Sequence, residues 1–552
     1  MRRSAHATHH VHNQPPWRVD IDEFALNAPL VGAVDAFGGG WAGEALHEAG
    51  ALVGSAGFQR DAALANEHTP VAHSHDRWGF RLDEVEYDPS YHRVIAEAIA
   101  RGAHTSAWAD PRPGASVSRA AMFMLFAQVE PGHACPVSMT HAAVASIAET
   151  PWIAGEWLPR LYSRDYEPRL LPSEIKTCAL VGMAMTEKQG GSDVRANTTT
   201  GVHMGGNAYS ITGHKWFCSA PMSDAFLVLA QTRSGSRDDG PTCLFVPRML
   251  PHGTHNVFRI QRLKDKLGNR SNASAEVEFD GTVGFLVGEP GRGVRAIIEM
   301  VQRTRLDCVL GSAAGMRQSV AEAVWHARGR EAFGALLADQ PAMASVLADL
   351  ALESEAAMLT GLRLAQMFEA DASDHDVALR RLATPVAKYW VCKRGPQHAY
   401  EAMECLGGNG YTESFPLAMR YREQPVMAIW EGTGNVIALD VLRAMTREPD
   451  AAAAFAAELE TTRGESALLD AHVEQTLALL GELAAAAPAD AQADARRLSE
   501  GLALALQGSL MLRHAPQPAA SAFLGARLGE DRTAQYGSLP RGTDAAAILA
   551  RH

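Results

Sequence analysis

The chain has 552 residues and a net charge of −13, from 50 basic and 63 acidic side chains. Its apolar fraction of 47% and charged fraction of 20% exclude a disordered, collagen-like or coiled-coil body. At roughly 150 residues per domain, the length implies three or four domains. The acidic balance repels phosphate backbones, so a nucleic-acid role needs a local basic patch. Seven cysteines (135, 178, 218, 243, 308, 392 and 405) lie far apart and form no CxxC pair. That spacing signals neither a zinc site nor a disulfide framework, and it suits a reducing cytoplasm. No run of 18 apolar residues occurs, so no membrane span is expected. The Met1-Arg2-Arg3 start lacks the apolar stretch of a secretion signal. His6, His9, His10 and His12 read as a tail rather than a metal site, and no metal is expected elsewhere.

In chain order, residues 1–175 read as mostly helical. Tyr91–Ala100, Ser118–Val129 and His141–Ile147 carry apolar residues at helical spacing. Near Lys176 the texture changes to short β-rich runs: 178–185, 224–231, 242–246, 257–263 and 273–279. Glycine- and asparagine-containing turns separate them, which predicts an antiparallel sheet or small barrel over 176–288. Helical patterning returns over 294–300, 308–326, 342–368 and 377–403, and again over 435–445. A glycine-rich turn, Leu406–Gly410, interrupts it. Residues 447–552 form an alanine-rich helical extension. There Leu469, Val473, Leu477 and Leu480 share one helical face, and Leu502, Leu506 and Leu510 another. The expected class is α+β, ordered helices, sheet, helices, extension.

Three segments carry candidate chemistry. Met185–Asp193 (MTEKQGGSD) follows a strand, and its paired glycines and hydroxyls let backbone approach a ligand. A Gly-Gly-Ser turn is equally an ordinary turn. His214–Ala220 (HKWFCSA) sets an aromatic residue beside a hydroxyl, a pairing able to cover a flat ring and bond its edge. The same residues also suit a sheet core. Ile429–Asn435 (IWEGTGN) places a carboxylate between an aromatic and a Gly-Thr-Gly run at a helix start. Apolar surroundings raise a carboxylate's pKa and make it a base near neutrality. The amides beyond it suit an anion. An acid stabilised by the helix dipole is the plainer alternative.

Together these segments, with RLKDKLGNRSNASAEVEF at 262–279, resemble the acyl-CoA dehydrogenase family over roughly residues 90–446. The resemblance is closest to its AidB branch, the bacterial alkylation-response flavoproteins. Asn13-Gln14-Pro15 and the long C-terminal extension resemble that branch too. The resemblance implies an N-terminal helical domain, a middle β-domain over 176–288 and a C-terminal helical domain over 289–446, with FAD as cofactor. It assigns Met185, Thr186, Gly191 and Ser192 to the flavin and its diphosphate. Phe217 stands where many relatives carry tryptophan over the flavin ring, and Ser219 where a threonine bonds its edge. Arg330, Phe333, Gly334, Gln340, Gly407 and Gly408 match positions that contact the FAD of a neighbouring subunit, which implies a homotetramer. Gly432, Thr433 and Asn435 match cofactor positions after the base, although relatives often have glutamine at Asn435.

Glu431 matches the catalytic base, which implies α,β-dehydrogenation of an acyl-CoA thioester. An alternative base position in other branches is occupied here by Thr304, beside Arg305, a substrate-side candidate. Trp430 is expected to narrow the acyl pocket. The branch also suggests a link to alkylation damage and double-stranded DNA, with Arg443 as the candidate contact. That is the alternative reading: a flavin-containing DNA-protecting protein with vestigial dehydrogenase activity. Against it, residues 450–552 hold eight arginines, no lysine and thirteen acids, a net charge of −5. Arg496, Arg497, Arg513, Arg527 and Arg541 serve DNA only if folding gathers them on one face. As surface or ion-paired residues they serve the fold.

Overall fold

The computed structural model describes residues 8–530 and 532–552, so Met1, Arg2, Arg3 and His6 lie outside the described residues. Local chemistry sets the first helices. Asn27, Ser55 and Asp88 each accept a backbone N–H and cap Ala28–Ala36, Ala56–Glu67 and Pro89–Ala100. Ala115–Ala127 and Ala134–Ile147 are buried on nearly every face, so they run through the centre of this domain. Between the helices Ala56–Glu67 and Pro89–Ala100, Val71–His75 and Arg81–Glu86 pair as a hairpin in a stretch expected to be helical. Its first strand is wholly exposed, so no apolar alternation marks it in the sequence. The hairpin docks on the β-domain. Ile260 N donates to Asp83 Oδ1 at 2.8 Å, and Arg248 Nη2 donates to Asp83 O at 2.8 Å.

Seven strands build the β-domain: Val181–Ala184, Thr200–Gly205, Ala208–Ser219, Ala225–Ser234, Arg237–Pro247, Arg259–Leu263 and Ser274–Val287. Most pair antiparallel. Val181–Ala184 and Thr200–Gly205 run parallel to Ala225–Ser234, since long connections separate them in the chain. The pairings close on themselves: 225–234 to 237–247, to 274–287, to 208–219, to 200–205 and back. The two longest strands pair from Ala208 opposite Phe285 to Ser219 opposite Ser274, with register shifts between Ile211 and Thr212 and, as a bulge, between Lys215 and Cys218.

The C-terminal helical domain is built on Gly293–Gly329, Pro341–Gln366, Asp374–Glu404 and Gly434–Arg447. The two helices expected at 294–300 and 308–326 are one continuous helix of 37 residues. Its polar middle broke the apolar pattern, yet those residues are buried and partnered. Asp307 accepts from Arg119, Arg305 pairs with Asp440 at 2.7 Å, and the Arg303 guanidinium lies 4.2 Å from the Trp108 ring centre. In the extension Leu502, Leu506 and Leu510 are buried, whereas Leu477 is 40% exposed and leaves the face shared by Leu469. Among the described residues no helix is long and apolar enough to cross a membrane. All seven cysteines are free and buried.

Candidate active site

The site lies where the three domains meet. Trp430 packs against one buried cluster formed by Cys135 and Met139 of the N-terminal domain and Ala220 of the β-domain, and against a second formed by Cys308, Cys392 and Met427 of the C-terminal domain. Its turn follows the helix Leu417–Met427, and Trp430 N donates to Val426 O at 2.9 Å. Glu431 then adopts a left-handed backbone, φ +57°, which a non-glycine residue takes only when its surroundings impose it. Two cations do so. Arg305 Nε donates to Glu431 O at 3.1 Å, and Lys388 Nζ donates to Gly432 O. Arg305 is held in turn by Asp440, which also pairs with Arg381 and Arg443 and is pulled down to about 2 by these guanidinium groups against the effect of burial.

Burial pushes the Glu431 carboxyl above the ordinary carboxylate range. The Thr304 hydroxyl, Arg305 and Lys388 pull the other way. Thr304 thus stands beside the carboxylate. Arg305 meets the backbone of its turn, and within this chain its bonds go to Glu431 and Asp440.

The β-domain side is shaped by the bulge at 215–218. Regular alternation would send Lys215 and Cys218 to opposite faces. The extra residue turns both inward and leaves Phe217 49% exposed. The buried Lys215 Nζ pairs with Glu187 at 2.9 Å and donates to Leu229 O at 2.7 Å. Glu187 also accepts from Thr198 N and Thr199 N, so this pair pins the Met185–Ser192 loop to the barrel. Trp216 N donates to Thr186 O at 2.8 Å, which lays that loop alongside Phe217. Any side chain at Gly191 would collide with the Thr186 hydroxyl. Ser192 is exposed, and Ser219 Oγ lies 3.1 Å from Ser274 Oγ. Ser219 also adjoins Cys135, a thiol that burial pushes up to about 12 and that lies near Glu431.

A second brace went unread in the sequence. Glu130 accepts from Ser271 Oγ at 2.5 Å and His133 N at 2.8 Å, and Glu423 accepts from Asn269 N at 2.6 Å. One buried carboxylate from each helical domain therefore grips the 268–272 loop. A side chain on Gly268 would strike Arg422 O. A charge inside an apolar run was the available signal for Lys215 and Lys388, whereas Glu130 and Glu187 lie in turns and Glu423 in a polar helix.

Other motif residues lie apart from this centre. Arg330 Nη1 donates to Asn13 O at 2.7 Å, and Gln340 Nε2 donates to Ala332 O at 2.7 Å. Between them Phe333 is fully exposed at φ +54°, and Gly407 and Gly408 are also exposed. No described hydrogen bond joins these residues to the Glu431 turn. A surface cleft of 640 Å³ near Arg363, Glu458 and Arg513 shares no residue with it either. Arg443 donates to Asp440 Oδ1 at 2.5 Å with its side chain largely exposed. In the extension, Arg513 pairs with Glu458, Arg527 with Asp349 and Glu353, and Arg497 with Asp494.

The sequence matches the adaptive response protein AidB N-terminal domain over residues 13–168 and the acyl-CoA dehydrogenase middle domain over 182–282. It also matches the acyl-CoA dehydrogenase C-terminal domain over 291–446. It is 41% identical to AidB of Escherichia coli (strain K12) over 518 residues, 94% of each chain. The chain belongs to the AidB branch of the acyl-CoA dehydrogenase family. Its fold is similar to that of Caenorhabditis elegans ACDH-11 in complex with C11-CoA, with a TM-score of 0.85 at 25% identity, covering 95% of this chain and 93% of that one. An acyl-CoA dehydrogenase from Bacillus anthracis complexed with FAD matches with a TM-score of 0.62 at 18% identity, covering 80% and 78%. Members of the family are FAD-dependent oxidoreductases, and FAD is the cofactor. The residues present fit it. An exposed aromatic, a loop with hydroxyls and a helix start with no side-chain cap suit a ligand with a flat ring and a diphosphate.

Proposed function

We propose that the chain dehydrogenates an acyl-CoA thioester between its α and β carbons, with Glu431 as the base. The observation that carries this reading is the Glu431 turn: a partly desolvated carboxylate, in a strained backbone held by Arg305 and Lys388, at the junction of all three domains. Burial makes the carboxylate a stronger base than an exposed one. Lys388 and Arg305 bond backbone carbonyls, so they fix the turn and leave the carboxylate oxygens free for the α-proton. The Thr304 hydroxyl donates to the Met300 and Val301 carbonyls of its own helix and carries no proton-accepting charge of its own. Trp430 walls the site with an indole packed on the cluster of Cys135, Met139 and Ala220, which favours short or compact acyl groups. Bound FAD supplies the two-electron acceptor. Met185, Thr186, Gly191, Ser192, Phe217, Ser219, Gly432, Thr433 and Asn435 hold it within the subunit. Arg330, Phe333, Gln340, Gly407 and Gly408 reach the cofactor of a neighbour in a homotetramer.

The test is an anaerobic titration of the purified flavoprotein with an acyl-CoA panel, with Glu431→Gln alongside. Bleaching of the flavin band by one chain class, lost in the variant, is the expected result. A bound flavin that no thioester reduces would overturn the reading. The DNA-protecting alternative gains no specific support, because Arg497, Arg513 and Arg527 are engaged in ion pairs and Arg443 shares Asp440 with two other arginines.

A further inference from the structure

The C-terminal extension reaches the loop that carries Glu431. Arg496, on the helix Pro488–His514, donates through Nε to Asn435 Oδ1 at 2.8 Å. Asn435 is the second residue of Gly434–Arg447, a helix of 14 residues whose N-cap, Thr433, makes no side-chain capping bond. No acid stands in its first turn. Its leading N–H groups and the positive end of its dipole therefore meet no acid of their own first turn.

Gly434 has a particular role there. A Cβ on it would lie 2.5 Å from Lys393 Cε, 3.0 Å from Lys393 Nζ and 3.6 Å from Arg496 Nη2. The missing side chain is what lets two cationic heads lie over the helix start. Lys388 is a third cation, bonded to Gly432 O. Among the described residues none of the three makes an ion pair, and Glu500, one turn on from Arg496, makes none with it. Arg496 and Lys388 also depress the Lys393 ammonium, after burial. Like charges gathered at the positive end of a helix repel one another until an anion enters.

We infer that Lys393 and Arg496, seated over Gly434, bind the diphosphate of FAD, so that the C-terminal extension completes the cofactor site. A diphosphate matches two cations and several free N–H groups better than a single carboxylate. FAD is favoured over CoA by reach. The cluster begins three residues beyond Glu431, and the diphosphate of FAD is tied to its ring by a ribityl chain, whereas that of CoA stands off by the longer pantetheine arm. Arg496 also accounts for the asparagine: it occupies the carbonyl of the shorter side chain and turns its NH2 outward. The inference rests on Thr433 and Asn435 lying at the cofactor, and it does not depend on which thioester is oxidised.

The experiment uses the full chain stripped of flavin, with Lys393→Met, Arg496→Gln, the double variant and Gly434→Ala. Binding of FAD and of riboflavin, which lacks the phosphates, is followed by flavin fluorescence. Each lost charged hydrogen bond should weaken FAD binding by about tenfold or more, with riboflavin unchanged and the loss shrinking at high salt. Gly434→Ala should weaken FAD too, because the new methyl displaces Lys393, while alanine favours the helix. Arg497→Gln, on the same helix but paired with Asp494, should change nothing. Melting of each flavin-free variant separates misfolding from lost binding, and Arg496→Lys should restore part of the affinity. Unchanged FAD affinity in the double variant would overturn the inference. Equal losses for FAD and riboflavin would overturn it as well.

Discussion

The Glu431 turn and the Arg330–Gln340 hairpin both match cofactor motifs, yet they are built in opposite ways. The turn is braced within one subunit: Arg305 and Lys388 grip its carbonyls, and Trp430 touches all three domains. The hairpin is tied to the rest of the subunit at its root. Asn13 accepts from Glu331 N at 2.7 Å and donates to Glu331 O at 2.8 Å, while Phe333 projects fully exposed from the tip. A phenyl ring held in solvent on a strained residue has no purpose inside the subunit. The contrast teaches that the Glu431 turn is positioned by the chain's own fold, whereas the hairpin is shaped for something beyond it.

The comparison can be broken at several points. Glu431→Gln removes the base with little change in shape, and flavin reduction by acyl-CoA should slow by about 10²–10⁴-fold. In the parent protein reduction should weaken as pH falls through the raised Glu431 pKa, at higher pH than for an exposed glutamate, because only the carboxylate accepts the proton. A pH-independent rate across that range would remove Glu431 from the role. Lys215→Met leaves Glu187 buried without its partner, and denaturant unfolding should show a loss of about 3–5 kcal/mol.

Asp440 offers a milder test. Its folded pKa, about 2 against an ordinary 3.8, means that the folded state holds the proton less tightly than the unfolded one. The stability it contributes, about 2 kcal/mol, is therefore present above pH 4 and lost as pH falls towards 2. Asp440→Asn should flatten that part of the acid-unfolding curve. Phe333→Ala should have the smallest effect on folding, within about 0.5 kcal/mol, yet it should lower the assembled mass measured by light scattering. An unchanged mass would separate the hairpin from assembly.

Much of this was legible in the residues because local chemistry is written locally. Leu502, Leu506 and Leu510 announce a buried stripe and are buried. MTEKQGGSD, HKWF and IWEGTGN point to the family because each sets distinctive side chains at short spacing along the chain. The hairpin at 71–86 escaped because exposed strands carry no apolar alternation, and the 37-residue helix because its buried middle is polar.

The sequence by itself determined the family, the order of helices and sheet, and the identity of the acid in the Glu431 turn. Tertiary structure decided the rest. Only folding turns Lys215 inward at a bulge, brings Thr304 to Glu431, draws Glu130 and Glu423 onto one loop, and carries Arg496 across 61 positions to Asn435. Each of these joins charged or polar groups that are remote in the chain. Such contacts leave no periodic trace, because their partners are chosen by the packing of whole domains and not by neighbours in sequence.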